Sequence, residues 1–305
     1  MSLLGLGPLR RPRFSLASVA GEELVLGAFQ RARSAIAPGF LPELARTRRL
    51  SGGPALLAGP GTLHLTLALP SADALVEGGP HKIVNRYVRP LLRALGRLGA
   101  PARYVGRDWV SVGQRPVAWV GFAHHAGTGA AFFEAFLAVD HPFALPPEAD
   151  GYPARRNRPF FDLRPATLRE LRGESLTMET VGDRVWQAYE KAHGAALDRA
   201  PFAEAELRPP DPDDRSPFGA LEEEAIGFVG AIGGPSPELG GDLMASEDLM
   251  LALGAALAPL GPSASEDEVT QALGEAIGRT GGVIDGLRDQ FSLARVAARA
   301  LALAP

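Results

Sequence analysis

Residues 48–63 hold the densest chemistry in the chain. Arg48 and Arg49 lead into Ser51-Gly52-Gly53, a second turn follows at Gly59-Pro60-Gly61, and a strand pattern begins at Thr62. Glycine lets a backbone approach a ligand closely, free N–H groups bind oxygen, and guanidinium groups give charged, forked hydrogen bonds. That set suits an anionic ligand, and it equally fits a surface turn with solvated arginines. Ser51 reads as a turn residue and phosphate donor rather than a nucleophile, since no base is placed for it. Along the strand Leu63, Leu65, Leu67 and Leu69 share one face, and Thr62, His64, Thr66 and Ala68 the other. His64 therefore reads first as a hydrogen-bonded structural histidine, with a catalytic role as the alternative. His124 and His125 are adjacent, so on a strand they face opposite ways, and no carboxylate pattern accompanies them to hold a metal.

The whole chain narrows the options. It has 305 residues, 46% hydrophobic and 22% charged, as in a globular protein with room for a large and a small domain. A net charge of −4 argues against a mainly electrostatic nucleic-acid binder. No apolar run approaches the roughly 18 residues of a membrane span. Arg10, Arg11 and Arg13 follow a short apolar start, the reverse of a secretory signal, so a cytoplasmic location is expected. There is no cysteine, which excludes disulfides, thiolate metal sites and a cysteine nucleophile. Only Lys82 and Lys191 are lysines among 31 basic residues.

Periodicity places the elements that must position these residues. Segments 13–19 and 23–29 read as extended. Val84, Val88, Leu91, Leu92, Leu95 and Leu98 recur at helical spacing, with Arg86, Arg89, Arg93 and Arg97 on a solvated face and a kink or restart at Pro90. A hairpin is expected over 107–122, turning at residues 113–116, then a strand over 132–139 and helices near 165–171 and 179–193. Sheet-forming runs followed by helices predict an α+β domain with a mixed or mostly antiparallel sheet over 12–206. Residues 207–217, rich in proline and charge, read as a linker. Residues 218–305 read as a small α/β module: a strand over 224–232, a turn at Gly240-Gly241-Asp242, a helix through Leu257, and another opened by Ser265 and Glu268 in capping-box spacing.

Several of these segments together are similar to one family. Arg48-Arg49-Leu50-Ser51-Gly52-Gly53 resembles the Arg-Arg-x-Ser/Thr-Gly-Gly-Gly signature of the lipoate–protein ligases, within the biotin/lipoate ligase fold. Leu24-Val25-Leu26-Gly27-Ala28-Phe29-Gln30 resembles its Val-Leu-Gly-x-x-Gln segment, and Gly106-Arg107-Asp108-Trp109-Val110-Ser111-Val112 its Gly-Arg-Asn-Asp-Leu-Val-Val strand. The Gly241-Asp242 turn matches one in the family's accessory domain. The resemblance implies activation of lipoate or octanoate by ATP and Mg²⁺ to an acyl-adenylate, then transfer to a lysine of a lipoyl-type carrier domain. It assigns Arg48, Arg49, Ser51, Gly52 and Gly53 to the phosphate or acyl carboxyl, Asp108 to nucleotide and Mg²⁺, and Arg115 to the position of the family lysine.

The departures are as informative. Arginine is forked and bulkier than the lysine it replaces. Pro54 takes the third glycine of the loop, Ala118 the glycine after the lysine, and Arg107 the partner position of Asp108. The family's His-Gly-Thr-Leu-Leu segment maps onto Glu134-Ala135-Phe136-Leu137-Ala138, without the histidine. Without cysteine, the thioester route of related acyl transferases is closed. No helix-turn-helix segment precedes the ligase-like part, so a DNA-binding role is not expected. Two readings result: a divergent ATP-dependent acyl–protein ligase, or a catalytically inactive pseudoenzyme that binds an acyl ligand or a partner protein.

Overall fold

The computed structural model describes residues 9–40, 45–106, 108–153, 164–173, 175–199, 210, 216–289 and 291–304. Of segment 207–217 only residues 210, 216 and 217 fall inside it, and Arg107 lies outside it.

The fold is α+β, built on a seven-stranded sheet. Its strands are β1 (Arg13–Ser18), β5 (Thr62–Leu69), β6 (Ala102–Tyr104), β7 (Trp109–Val112), β8 (Arg115–His124), β9 (Ala131–Ala138) and β10 (Asp198–Arg199), in the order β10-β1-β5-β9-β8-β7-β6. Among the described residues of this sheet, only the β1–β10 pair is parallel. One face carries Leu63, Leu65, Leu67, Val120, Phe133 and Leu137, packed against α2 (Ile83–Arg97) and α4 (Met178–His193) through Tyr87, Leu91, Val185 and Tyr189. The opposite face is also covered. A small sheet of β3 (Ala45–Arg48), β2 (Glu23–Leu26) and β4 (Leu56–Ala58) lays Val25, Leu56 and Ala58 on Trp119, Phe136 and Ala138. Both faces of β5 are thus buried, including Thr62, His64 and Thr66. Short helices α1 (Ala32–Ala35) and α3 (Leu168–Arg172) complete this part.

The C-terminal part packs an antiparallel sheet of β11 (Ala220–Glu223), β12 (Phe228–Ile232) and β13 (Glu238–Gly241) against α5 (Glu247–Leu257), α6 (Glu266–Thr280) and α7 (Phe291–Ala302). The ribbon of β14 (Met244–Ala245) and β15 (Ile284–Asp285) joins it to β8 through a bridge between His124 and Ser246. The expected capping box is present: Glu268 N donates to Ser265 Oγ at 3.3 Å, and Ser265 N to Glu268 Oε2 at 2.8 Å.

Three local expectations change. Of the strand expected over 224–232 only Phe228–Ile232 forms; residues 224–227 are the turn that joins it to β11, with Glu224 N donating to Gly227 O. The hairpin turns on Gly113 and Gln114 alone, with Gly113 at φ +63°, so Arg115 and Pro116 lie in β8. Arg86 is buried rather than solvated, because its guanidinium gathers carbonyls of the 72–79 loop, Ala72 O at 3.3 Å and Gly78 O at 2.7 Å among them.

Candidate functional site

Arg48 ends β3 and Arg49 follows it, so strand pairing with β2 fixes where both side chains start. Arg48 Nη1 donates to Gly27 O and Gln30 O, each at 2.7 Å, clamping the turn after β2. Arg49 is fully buried. Its Nη1 donates to Val25 O at 3.1 Å, and its Nη2 to Gly52 O at 2.8 Å and Pro54 O at 2.7 Å. The Trp119 ring lies beneath the guanidinium, 4.0 Å from its centroid. Burial lowers the Arg49 pKa to about 10, opposed by the charges of Glu134, Asp108 and Asp242.

Ser51 donates to Glu134 Oε1, His64 Nε2 lies 3.0 Å from Glu134 Oε2, and Arg49 Nε is 3.8 Å from Oε1. Burial penalises the Glu134 carboxylate. The hydrogen bond and charge of His64, the Arg49 charge and the Ser51 hydroxyl outweigh that and hold its pKa below the usual carboxylate range. His64 stacks on Phe136 with ring centroids 4.3 Å apart. The Trp119 ring lies in a notch left by two glycines: a Cβ on Gly121 would come within 2.2 Å of it, and one on Gly53 within 2.8 Å. The space between the loop and the sheet is filled by side chains.

The glycine loop faces the C-terminal part. Gly53, at φ +94°, donates its N–H to Leu243 O at 3.0 Å, and a Cβ on Gly52 would sit 2.1 Å from that carbonyl oxygen. Gln30 Nε2 donates to Asp242 Oδ1 at 2.6 Å, and Phe228 N to Asp242 Oδ2 at 3.0 Å. The two histidines serve the same junction. His124 Nδ1 lies 2.8 Å from Ser246 Oγ, and Asp248 accepts from Ala126 N and Gly127 N at 2.9 Å with His125 3.5 Å away.

Arg48, Arg49, Ser51, Gly52 and Gly53 are therefore brought together, and Asp108 is buried within the electrostatic reach of Arg49. Arg115 goes elsewhere. A bulge at Val117 shifts the β7–β8 register, so Arg115 pairs with Val112, which packs on the helix-covered core, while Trp119 pairs with Trp109. Its Nη2 donates to Glu170 Oε1 at 2.9 Å and to Pro165 O at 2.9 Å. Among the described residues no group of three or more metal-ligating side chains is assembled, and no helix is long and apolar enough to cross a membrane. A cavity of about 380 Å³ lies beyond the 27–31 turn, against Phe29, Arg31, Phe218, Met250 and Leu251, and is lined by none of the predicted site residues.

The family model of the lipoyl protein ligase A/B catalytic domain matches residues 21–190, more than half of the chain. The chain belongs to this family. No curated protein matches it significantly. Among solved structures, P. falciparum LipL1 in complex with lipoate is 12% identical with a TM-score of 0.61, covering 95% of this chain and 87% of that one. A structure from an archaeal lipoylation system, a bipartite lipoate protein ligase and its E2 lipoyl domain from Thermoplasma acidophilum, gives 16% identity and a TM-score of 0.51, covering 64% and 76%. Lipoate-protein ligase A bound with ATP gives 14% and 0.50, covering 67% and 82%. At these identities the likeness is one of fold, and it agrees with the α+β architecture described above.

Within this lipoyl ligase family member, the residues to which the sequence reading gave no role are Glu134, named there only in place of the family histidine, and Trp119. A signal existed for the first: Glu134 is the lone charge in the apolar strand Ala131–Ala138. Trp119 gave none, because only the fold sets its ring over Gly121 and Gly53.

Proposed function

We propose that this lipoyl ligase family member keeps the fold without forming acyl-adenylates, and that it acts by docking a partner protein of the lipoyl-carrier type. The observation that carries the reading is the state of Arg49: its guanidinium is sealed between Trp119 and the carbonyls of Val25, Gly52 and Pro54. A cation so engaged has few N–H groups left for a phosphate or an acyl carboxyl. The loop supports the same reading, since Gly53 N–H is held by Leu243 O and Arg48 by the 27–30 carbonyls. Arg115, ion-paired to Glu170, is not directed toward them. Asp108 is a buried carboxylate in the field of Arg49, which does not fit a metal-bound nucleotide. The carrier-type partner is carried over from the archaeal ligase described together with its E2 lipoyl domain.

The alternative, an ATP- and Mg²⁺-dependent lipoate or octanoate ligase using Arg115, requires both arginines of the loop to be released. Purified protein incubated with octanoate or lipoate, ATP and Mg²⁺ is expected to release no pyrophosphate above the blank. Acid-dependent release that falls in Arg115→Ala would establish the ligase reading instead. Calorimetric titration with an isolated lipoyl domain tests the docking half, and no heat of binding would remove it.

A further inference from the structure

We propose that the outer face of α2 is a docking surface for a partner protein, engaged through a cluster of carboxylates on that partner. The proposal goes beyond the reading above. α2 covers the sheet face opposite the one that carries Trp119 and the 48–54 loop, so this surface does not depend on what the loop binds.

Between Glu77 and Asp108 the chain carries seven Lys or Arg and no Asp or Glu, although acidic residues outnumber basic ones 35 to 31 over its whole length. The fold sorts these cations. Arg86 is engaged by the carbonyls of the 72–79 loop, whereas Arg89, Arg93 and Arg97 are exposed. They stand four residues apart along one side of the helix, each about 6 Å from the next along its axis. Tertiary packing adds a fourth. Arg172, at the end of α3, is exposed and lies against Gly99 just past the end of α2, where a Cβ would come 2.5 Å from its Nη2. Among the described residues none of the four makes an ion pair.

A solvated helix has no need of this arrangement. Like charges at i,i+4 destabilise a helix, and alternating signs would keep it as soluble. α4, packed beside α2, does alternate, exposing Glu179, Asp183, Arg184, Glu190 and Lys191. The row is also felt inside the fold, where burial and the Arg93 charge both hold the His193 pKa below its ordinary value. Four unpaired guanidinium groups of one sign match carboxylates presented at similar spacing, since each can give two parallel N–H···O bonds. A nucleic acid fits the surface less well. Its phosphates would run on past the row toward the acidic residues of α4, on a chain of net charge −4.

A fluorescein-labelled octaglutamate peptide serves as the probe, with binding read as fluorescence anisotropy at low salt. The natural chain is expected to bind it. The triple variant Arg89→Gln, Arg93→Gln, Arg97→Gln is expected to bind at least ~10-fold more weakly. A control triple, Arg33→Gln, Arg184→Gln, Arg288→Gln, removes the same charge from exposed positions elsewhere and is expected to change binding less than about twofold. Equal losses in the two triples would reduce the effect to net charge and overturn the proposal, as would no binding by the natural chain. Tighter binding of a short DNA duplex than of octaglutamate would also overturn it, by making the row a nucleic-acid surface.

Stability gives an independent measure. Arg93→Glu turns two like-charge spacings on α2 into opposite-charge ones, so it is expected to raise Tm by about 1–3 °C while weakening octaglutamate binding. A lower Tm would show that the row serves the fold and would overturn the proposal. Pyrophosphate release by the natural chain bears on the loop alone.

Discussion

The Arg49 guanidinium stays charged inside the protein because carbonyl oxygens and the Glu134 carboxylate replace the water it loses. Breaking such a pair from one side leaves a buried charge, so Arg49→Met is expected to cost about 3–5 kcal/mol in urea denaturation. Glu134 also shapes the acid limb of stability. Its folded pKa is depressed, so its stabilisation is complete above the unfolded carboxylate value and is lost as pH falls through the folded value. Thermal melts of Glu134→Gln are therefore expected to vary less with pH below about 5 than those of the natural chain. Arg115→Ala, which breaks an exposed pair with Glu170, is expected to behave as an ordinary surface substitution; a large drop in Tm would give Arg115 a structural role beyond that pair.

At the scale of elements, the 48–54 loop is shaped by what packs on it. Gly52 has no room for a side chain against Leu243 and Met244, so Gly52→Ala is expected to destabilise the protein by about 1–3 kcal/mol. Faster cleavage on the C-terminal side in limited proteolysis would mark where the loosening occurs. The β7–β8 hairpin shows how one inserted residue redirects chemistry: the bulge at Val117 moves Arg115 off the alternation that Trp119 follows. Sequence spacing put Arg115 in the lysine position of the family. The strand's interrupted pairing, which spacing cannot reveal, turned it toward Glu170.

Across the whole molecule, the C-terminal part is held to the ligase-type part by Gln30 with Asp242, Arg31 with Glu238, and His124 with Ser246. Asp242 is fully buried and bridges both parts. Asp242→Ala leaves Gln30 and Phe228 N without their acceptor, a loss of about 2–4 kcal/mol, read as a lower urea midpoint. The junction is also sensitive to pH. Burial lowers the His124 pKa against the raising charge of Asp248, so the unfolded chain binds more protons than the folded one near neutrality. Stability from this group is complete above about pH 6.5 and falls as pH drops through the folded value. A His124→Asn variant whose Tm follows the same pH curve as the natural chain would remove His124 as a source.

The sequence by itself determined the strand alternation of 62–69, the amphipathic helix that became α2, the capping box at Ser265, and the family signatures around Arg48 and Gly52. Each of these is local, fixed by periodicity or by turn chemistry within a few residues. It also brought the loop residues together correctly, because they are neighbours in the chain. Only the tertiary structure decided what they face. Glu134 is 83 residues from Ser51 and 70 from His64, and the β5–β9 pairing with the loop packed on that sheet makes them one cluster. Whether an arginine meets a ligand or its own backbone depends on which surfaces close over it. Here Trp119 and the Leu243 carbonyl close over the loop, and neither is near it in sequence.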